Sequence, residues 1–326
     1  MLTNKELLKN SKNLLAFSAG GDSTALFFLL LENKISFDIA IVDYALRSQS
    51  KEEIAYAKEL AKEHNLKCFT FEAPKINKNF EAKARELRYD FFEELITQHA
   101  YKNLLTAHHL GDRFEWMLMQ FCKGAGCVEL TGMLEKEKRE HYTLLRPLLG
   151  VDKPELLNYL QEKNIKYFED ETNTDEKYQR NYFRKHHTTQ LLQKYRQGIK
   201  QSFKYMDEDK KSLTTQVEIF KVQELVYFYA TNKRSDIYTI DKYFKSSGKL
   251  LSANEKELLK HNASCIIARK YVVVQEHGFV FIAPYVQTDM CKKFKEKMRV
   301  LKVTPKLRGY INTSVELEDL LTSLLS

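Results

Sequence analysis

The stretch Ser18-Ala19-Gly20-Gly21-Asp22-Ser23 directly follows the apolar run Asn13 to Phe17 and opens a helical pattern that continues to about Leu31. A strand, a glycine turn and a helix in this order can hold an anion, because glycines let backbone N–H groups approach it and the helix start adds about half a positive charge. Ser18 and Ser23 can donate hydroxyl hydrogen bonds to phosphate oxygens. The pattern predicts a phosphate loop, with a plain strand-to-helix turn as the alternative.

Asp22 is the unusual member of this loop, because a carboxylate beside phosphates repels them. Its presence makes sense if it holds Mg²⁺ or positions the loop through backbone N–H groups. No GK[ST] follows the glycines, so this is not a Walker loop, and no GxGxxG is present, so a dinucleotide site is not indicated.

The first half of the chain alternates strand-like and helical patterns, which predicts a parallel sheet covered by helices on both faces. Such sheets bind ligands at the carboxyl ends of their strands. Ser50 with Glu53 predicts a capping box that opens one of the helices. The further strands are predicted at 37–42, 68–71 and 104–107, and the helices at about 50–64, 80–95 and 112–121.

A second domain is expected, because 326 residues with 43% apolar composition exceed the usual size of one domain. Arg180 to Met206 is typical of a long basic helix, and we expect helical, Lys-rich sequence to about His261. Short strands follow, two of them joined in a hairpin through residues 276–278, and then a closing helix. We therefore expect an α/β domain at 1–200 and a smaller mixed α+β domain at 201–326.

Composition excludes several classes of protein. The longest apolar run, Ala25 to Leu31, is about seven residues, against the roughly twenty of a membrane-spanning helix. The polar N-terminus has no signal region, so a cytoplasmic location is expected. The five cysteines show no CxxC spacing, which argues against disulfides or a thiolate zinc site. The net charge of +8 suits a polyanionic partner but is weak support on its own.

SAGGDSTAL resembles the PP-loop, SGGxDSxxL, of the ATP pyrophosphatase superfamily, whose fold is the adenine nucleotide alpha hydrolase-like parallel sheet. Those enzymes cut ATP between the α and β phosphates and form an adenylated intermediate. Ala19 stands where the family has glycine, so the loop is strained if this position needs a positive φ. The resemblance implies that residues 18–23, with Asp43 at the end of the second strand, bind ATP.

Six further segments resemble, in order, the motifs of tRNA(Ile)-lysidine synthetases. Taken alone, each segment could also be explained by charged residues on a helix surface or by polar residues at the end of a strand. Thr106 to Glu115 resembles TAHHxDDQxET, with Gly111 in place of Asp and Arg113 in place of Gln. Together with the PP-loop they lie between about residues 13 and 187. The other five are 43–47 (DHGLR in the family), 79–89 (NxExxARxxRY), 146–149 (RPLL), 170–173 (DESN) and 180–184 (RNxxR).

This resemblance implies a ligase that uses ATP and Mg²⁺ to attach L-lysine to the wobble cytidine of a tRNA(Ile) with a CAU anticodon. Asp112 is expected to orient or deprotonate the lysine amine, with His109 or His108 as the second choice. The metal is expected on Asp22 or Asp112, with Glu115 as a further candidate. The implied catalytic residues are Asp22, His108, His109, Asp112 and Glu115, and those implied to bind tRNA or lysine are Arg47, Arg85, Arg88, Arg180 and Arg184.

Three other functions remain open from the sequence. A PP-loop tRNA thiolase would need paired cysteines, and an amidotransferase-coupled synthetase would need a glutaminase domain or partner. A module that binds ATP or RNA without catalysis is supported mainly by the departures at Ala19 and Gly111.

Overall fold

The computed structural model describes residues 1–44, 49–76, 78–169, 179–215 and 217–325. The chain forms two compact units, Met1–Asp207 and Glu208–Ser326. Within the described ranges, no helix has the length and apolar character needed to cross a membrane.

The first unit is built on a six-stranded sheet with the order β3-β2-β1-β4-β6-β5. Neighbouring strands are parallel except for β5, which pairs antiparallel with β6 at the edge. The expected parallel α/β architecture is therefore confirmed, although β5 and β6 were not predicted. The strands are β1 Asn13–Ala16, β2 Phe37–Asp43, β3 Cys68–Glu72, β4 Asn103–Leu105, β5 Lys136–Lys138 and β6 Thr143–Leu145.

Helices cover both faces of this sheet. Leu14 and Leu15 are adjacent on β1 and fully buried on opposite faces, because successive side chains of a strand alternate. Leu15 packs in the core beneath α2, α3 and α7, and Leu14 packs against α4. The helices of this unit are α1 Lys5–Lys9, α2 Gly21–Glu32, α3 Gln49–Glu63, α4 Phe80–His99, α5 Leu110–Phe121, α6 Cys127–Leu130, α7 Lys153–Glu162, α8 Gln179–Phe183 and α9 Thr189–Leu213, with a π-helical turn at Arg184–Thr188.

The second unit is an antiparallel sheet with the order β7-β8-β11-β10-β9, with helices on both faces. The hairpin predicted through residues 276–278 is confirmed: His277 and Gly278 form the turn, with φ of 53° and 77°. The elements are β7 Phe220–Val222, β8 Leu225–Tyr229, α10 Lys233–Ser246, α11 Ala253–His261, β9 Ser264–Ile267, β10 Tyr271–Glu276, β11 Phe279–Pro284, α12 Lys292–Val300, α13 Pro305–Ile311 and α14 Val315–Leu325.

Two local predictions were wrong. The region before His261 is not helical throughout, because β7 and β8 form a hairpin there. Its turn residue Gln223 has a φ of 54° without being glycine or asparagine, so the usual turn signal was missing. The capping box at Ser50 and Glu53 does not form, because α3 already includes Gln49 and Ser50 is buried within it. Glu53 instead accepts a hydrogen bond from the Gln49 side chain at 3.0 Å.

Gly309 in α13 allows a close approach that a larger residue would prevent. A Cβ atom there would lie 1.8 Å from the Val286 carbonyl oxygen. We expect Gly309→Ala to lower the free energy of unfolding of the second unit by at least about 2 kcal/mol, because the backbone of α13 must move away. Thermal unfolding followed by circular dichroism measures this loss.

The matched control is Gly198→Ala, in the interior of α9, where a Cβ atom would meet nothing within 4 Å. This variant should be as stable as the parent or up to about 1 kcal/mol more stable, because alanine favours helix over glycine. Equal melting temperatures for Gly309→Ala and the parent would contradict the close approach at α13.

Candidate active site

The phosphate loop connects β1 to α2 at the carboxyl end of the sheet. Gly20 precedes the helix in an extended conformation, and no side chain caps the helix start. Ala19 has a φ of 58°, so the strain considered for this position is present, at a cost of about 1–2 kcal/mol. Phe168 supports the loop, because its N–H donates to the Ala19 carbonyl at 3.0 Å. The first turn of α2 therefore presents backbone N–H groups to an anion.

The two loop serines have different roles. Ser23 is buried, and its hydroxyl donates to the Gly20 carbonyl at 3.0 Å. It also accepts the Ser18 N–H at 3.2 Å, so it holds the loop in shape. Ser18 is exposed and its hydroxyl lies 3.1 Å from that of Ser23. Of the two predicted phosphate donors, only Ser18 has an exposed hydroxyl, which can exchange its contact with Ser23 for a ligand.

Asp22 has one engaged and one unengaged carboxylate oxygen. Oδ2 lies 3.7 Å from His109 Nε2, whereas Oδ1 is buried without a hydrogen-bond partner. A buried carboxylate oxygen without a partner is costly and suits a bound cation. The described residues contain no group of three or more acidic, histidine or cysteine side chains that could hold a metal. Asp22 fits Mg²⁺ if phosphates and water supply the remaining ligands, as is usual for this ion.

The start of α5 carries the next functional segment. The Asp112 carboxylate accepts the His109 N–H at 2.9 Å, while His109 Nδ1 accepts the Gly111 N–H at 3.0 Å. This reciprocal arrangement satisfies backbone donors that the helix start would otherwise leave unpaired. His108 points elsewhere, with its Nδ1 2.8 Å from the Thr106 hydroxyl. Of the two histidines, only His109 is therefore directed at the carboxylates of Asp22 and Asp112.

Asp112 and Glu115 share a buried face of α5, and two arginines cover them. Arg180 pairs with Asp112 and places its Nε 2.9 Å from Glu115 Oε2. Arg184 places its Nε 2.6 Å from Glu115 Oε1 and its Nη2 3.5 Å from Asp112 Oδ1. Arg184 opens the π-helical turn that follows α8. The two predicted RNA- or lysine-binding arginines thus neutralise the two predicted catalytic carboxylates.

These contacts set the acid–base properties of the site. Burial alone would raise the pKa of Asp112, but His109, Arg180 and a backbone N–H hold that pKa well below its ordinary value. Burial also lowers the pKa of His108 to about 4, against the pull of Asp112. Both groups are poor proton acceptors near neutral pH in this arrangement. Orientation of the substrate, rather than deprotonation, is the role that the geometry favours for Asp112.

Other predicted residues lie around this centre. Asp43 ends β2 beside β1, at the same edge as the phosphate loop. The next residue, Tyr44, donates its hydroxyl to the Ala84 carbonyl at 3.0 Å and so attaches this edge to α4. On α4, Arg85 lies over the Tyr89 ring at 4.8 Å. Burial raises the pKa of Tyr44, and the nearby charge of Arg88 partly offsets this rise. Arg47 and the segment 170–173 lie outside the described residues.

Two contributions were missed from the sequence. Arg113, noted only as a departure, is buried and donates to the Thr131 carbonyl at 3.1 Å and to Asp207 at 2.6 Å. It also lies over the Phe203 ring at 4.3 Å, so it attaches α9 to α5. Phe168 supports the phosphate loop through its backbone, which no sequence signal indicates.

The low pKa of His108 predicts a pH dependence of stability. The unfolded chain binds a proton at this residue below about pH 6.5, whereas the folded protein does not until about pH 4. Stability should therefore fall as pH drops through this window, by up to about 3 kcal/mol. His108→Asn, which can keep the hydrogen bond to Thr106, should remove this part of the decline in urea titrations at pH 7, 6, 5 and 4.

His141→Asn is the matched control, because the His141 side chain is 72% exposed. The stability of this variant should fall with pH as much as that of the parent. An unchanged slope in His108→Asn would show that another group causes the decline.

Comparison with known proteins shows which family the chain belongs to. A family described as the PP-loop domain matches residues 1–191. The chain is 44% identical to a tRNA(Ile)-lysidine synthase of Campylobacter jejuni, over 96% of this chain and 97% of that one. It is also 44% identical to one of Helicobacter pylori (94% and 91% covered) and 43% to one of Wolinella succinogenes (95% of each).

Among solved structures, a U34-tRNA thiolase from Methanococcus maripaludis superposes with a TM-score of 0.55 at 15% identity, covering 77% of this chain and 86% of that one. This likeness shows a shared fold. The sequence identities along nearly the whole chain, with the PP-loop match, establish that the chain belongs to the tRNA(Ile)-lysidine synthase family of ATP-dependent ligases.

Proposed function

We propose that this enzyme joins L-lysine to carbon 2 of the wobble cytidine in the CAU anticodon of tRNA(Ile), through an adenylated cytidine, and releases pyrophosphate and AMP. One observation carries the proposal. His109 Nε2 lies 3.7 Å from Asp22 and 3.6 Å from Asp112. The phosphate loop and the buried carboxylates therefore form one site, in which a nucleotide and an amine can meet.

In the first step, the cytosine O2 attacks the α-phosphorus of ATP and pyrophosphate leaves. The N–H groups at the start of α2 and the Ser18 hydroxyl hold the phosphates. Asp22, with its unpaired buried oxygen, would hold Mg²⁺, which would supply positive charge against the leaving pyrophosphate. The wobble base lies in a single-stranded loop, so it can enter the site without opening a duplex.

In the second step, the ε-amine of lysine attacks carbon 2 and AMP leaves. The Asp112 and Glu115 pair orients the amine, because a lysine ammonium can take the place of one guanidinium without changing the charge balance. The free amine has a pKa of about 10.4, so the bound ammonium must lose its proton to the solvent before it attacks. The remaining arginine favours this loss, because its like charge offsets part of the stabilisation that Asp112 and Glu115 give the ammonium form.

The second unit binds the tRNA backbone. Residues 208–326 carry 20 Lys and Arg against 14 Asp and Glu, so this unit holds +6 of the net charge of +8. Helix α12 buries Phe294 and Met298 and exposes Lys292, Lys293 and Lys295. A basic exposed face on a helix anchored by its apolar face is suited to phosphate contacts, which carry affinity but little sequence information.

Mass analysis of nucleosides tests the reaction. The protein is incubated with unmodified CAU-anticodon tRNA(Ile), ATP, Mg²⁺ and lysine. A cytidine that gains the mass of lysine less water, only with ATP present, is the expected product. Pyrophosphate release with another tRNA, but no such product, would keep the PP-loop chemistry and reject lysidine formation. No reaction in either assay would favour a non-catalytic relative.

Asp22→Asn should reduce lysidine formation by at least about a hundredfold, because it removes the charge that holds the cation at the phosphate loop. The control is Asp90→Asn, which makes the same change at an exposed position of α4 and should leave the rate unchanged. Initial rates of lysidine formation measure the effect, and melting temperatures confirm that both variants are folded. Full activity of a folded Asp22→Asn protein would remove Asp22 from the mechanism.

Replacing Lys292, Lys293 and Lys295 by Gln should weaken tRNA binding and make it less dependent on salt. Each lost phosphate contact lowers the slope of log affinity against log salt by about 0.9. The control replaces three exposed lysines of α3, Lys51, Lys58 and Lys62, by Gln. Filter binding at several salt concentrations measures both slopes. Equal slopes in the two triple variants would exclude α12 as a phosphate-binding surface.

A further inference from the structure

Gly111 and the His109 ring fit together at the start of α5. A Cβ atom at position 111 would lie 2.7 Å from Cε1 and 3.0 Å from Nδ1 of this ring. The first distance is too short for non-bonded atoms and the second is tight, so a side chain at 111 forces the ring to shift. Because His109 is only 4% exposed, the packed ring cannot shift without disturbing its present contacts.

The hydrogen bonds of His109 fix which nitrogen carries the hydrogen. Nδ1 accepts the Gly111 N–H, so in the neutral ring the hydrogen lies on Nε2. Nε2 faces Asp22 Oδ2 at 3.7 Å and Asp112 Oδ2 at 3.6 Å. The polar Nε2–H edge of the ring therefore lies between the two carboxylates, at distances slightly longer than a direct hydrogen bond.

We propose that His109 is a positioning residue that orients the Asp22 carboxylate of the phosphate loop, and that the absence of a side chain at Gly111 is what allows it to do so. The inference rests on the proposed function and deepens it. With Oδ2 facing His109, Asp22 keeps the unpaired Oδ1 for its ligand. Among the described residues, the His109 ring rather than another metal ligand takes the space of the side chain that the family carries at position 111.

Two substitutions separate the two contacts of His109. His109→Asn places an amide oxygen near the position of Nδ1, so it can still cap α5 but cannot reach Asp22. His109→Gln places its amide N–H₂ near the position of Nε2, so it can still face Asp22 but loses the cap. A purely structural role would make activity follow stability in this pair.

The expected result is that stability and function rank the two variants in opposite orders. His109→Gln should melt about 2–4 °C below His109→Asn, because it loses the helix cap. His109→Asn should lose about 10–100-fold in kcat/KM for lysidine formation and in affinity for α,β-methylene ATP with Mg²⁺. His109→Gln should stay closer to the parent in both kcat/KM and nucleotide affinity. The same ranking by stability and by function would overturn the proposal.

The nucleotide affinity needs no turnover, so it separates this proposal from the proposed function. If the parent makes no lysidine while His109→Asn still weakens nucleotide binding, the proposed function fails and the positioning role stands. If the parent makes lysidine and His109→Asn matches it in both measurements, only the positioning role fails.

Gly111→Ala and Gly111→Asp complete the test. Both add a Cβ atom and should displace the His109 ring, so both should show the kcat/KM loss of His109→Asn, about 10–100-fold. If Gly111→Asp were clearly more active than Gly111→Ala, a carboxylate at this position would serve as a ligand, and the proposal would be wrong.

Discussion

Two carboxylates can be buried side by side on α5 only because two guanidiniums lie on them. Asp112 and Glu115 are 8% and 2% exposed, and each contacts both Arg180 and Arg184. A buried ion pair that loses one partner destabilises a protein by about 3–5 kcal/mol, because it leaves an uncompensated charge. The segment from α8 into α9 is therefore tied electrostatically to α5.

The sheet explains why this cluster lies next to the phosphate loop. Parallel strands carry their carboxyl ends to one edge, so the loops after β1 and β4 meet there. The loop after β1 supplies Asp22 and the loop after β4 supplies His109. Each begins a helix, so both bring the positive end of a helix dipole to the site. Nucleotide phosphates and buried carboxylates can share this small volume because these positive ends and the arginines balance their charge.

The sequence predicts local features of this arrangement well and distant ones poorly. The strand-loop-helix order around Gly20 and the shared face of Asp112 and Glu115 follow from short-range periodicity, and the structure has both. The partners of Arg180 do not follow, because Asp112 and Glu115 lie 68 and 65 residues before it. The hairpin at Gln223 was missed because tertiary packing of β8, rather than turn chemistry, sets its conformation.

Two of the departures from the family pattern in this site, at Ala19 and Gly111, are tolerated for opposite physical reasons. Ala19 adds a methyl group where the backbone favours glycine, at about 1–2 kcal/mol of strain. The methyl is fully buried, which offsets about 0.8 kcal/mol of this strain, so the net cost is small. Gly111 instead removes a side chain, and the space is taken by the His109 ring that caps α5. Because one departure costs little and the other leaves space that the ring fills, neither is an argument against catalysis.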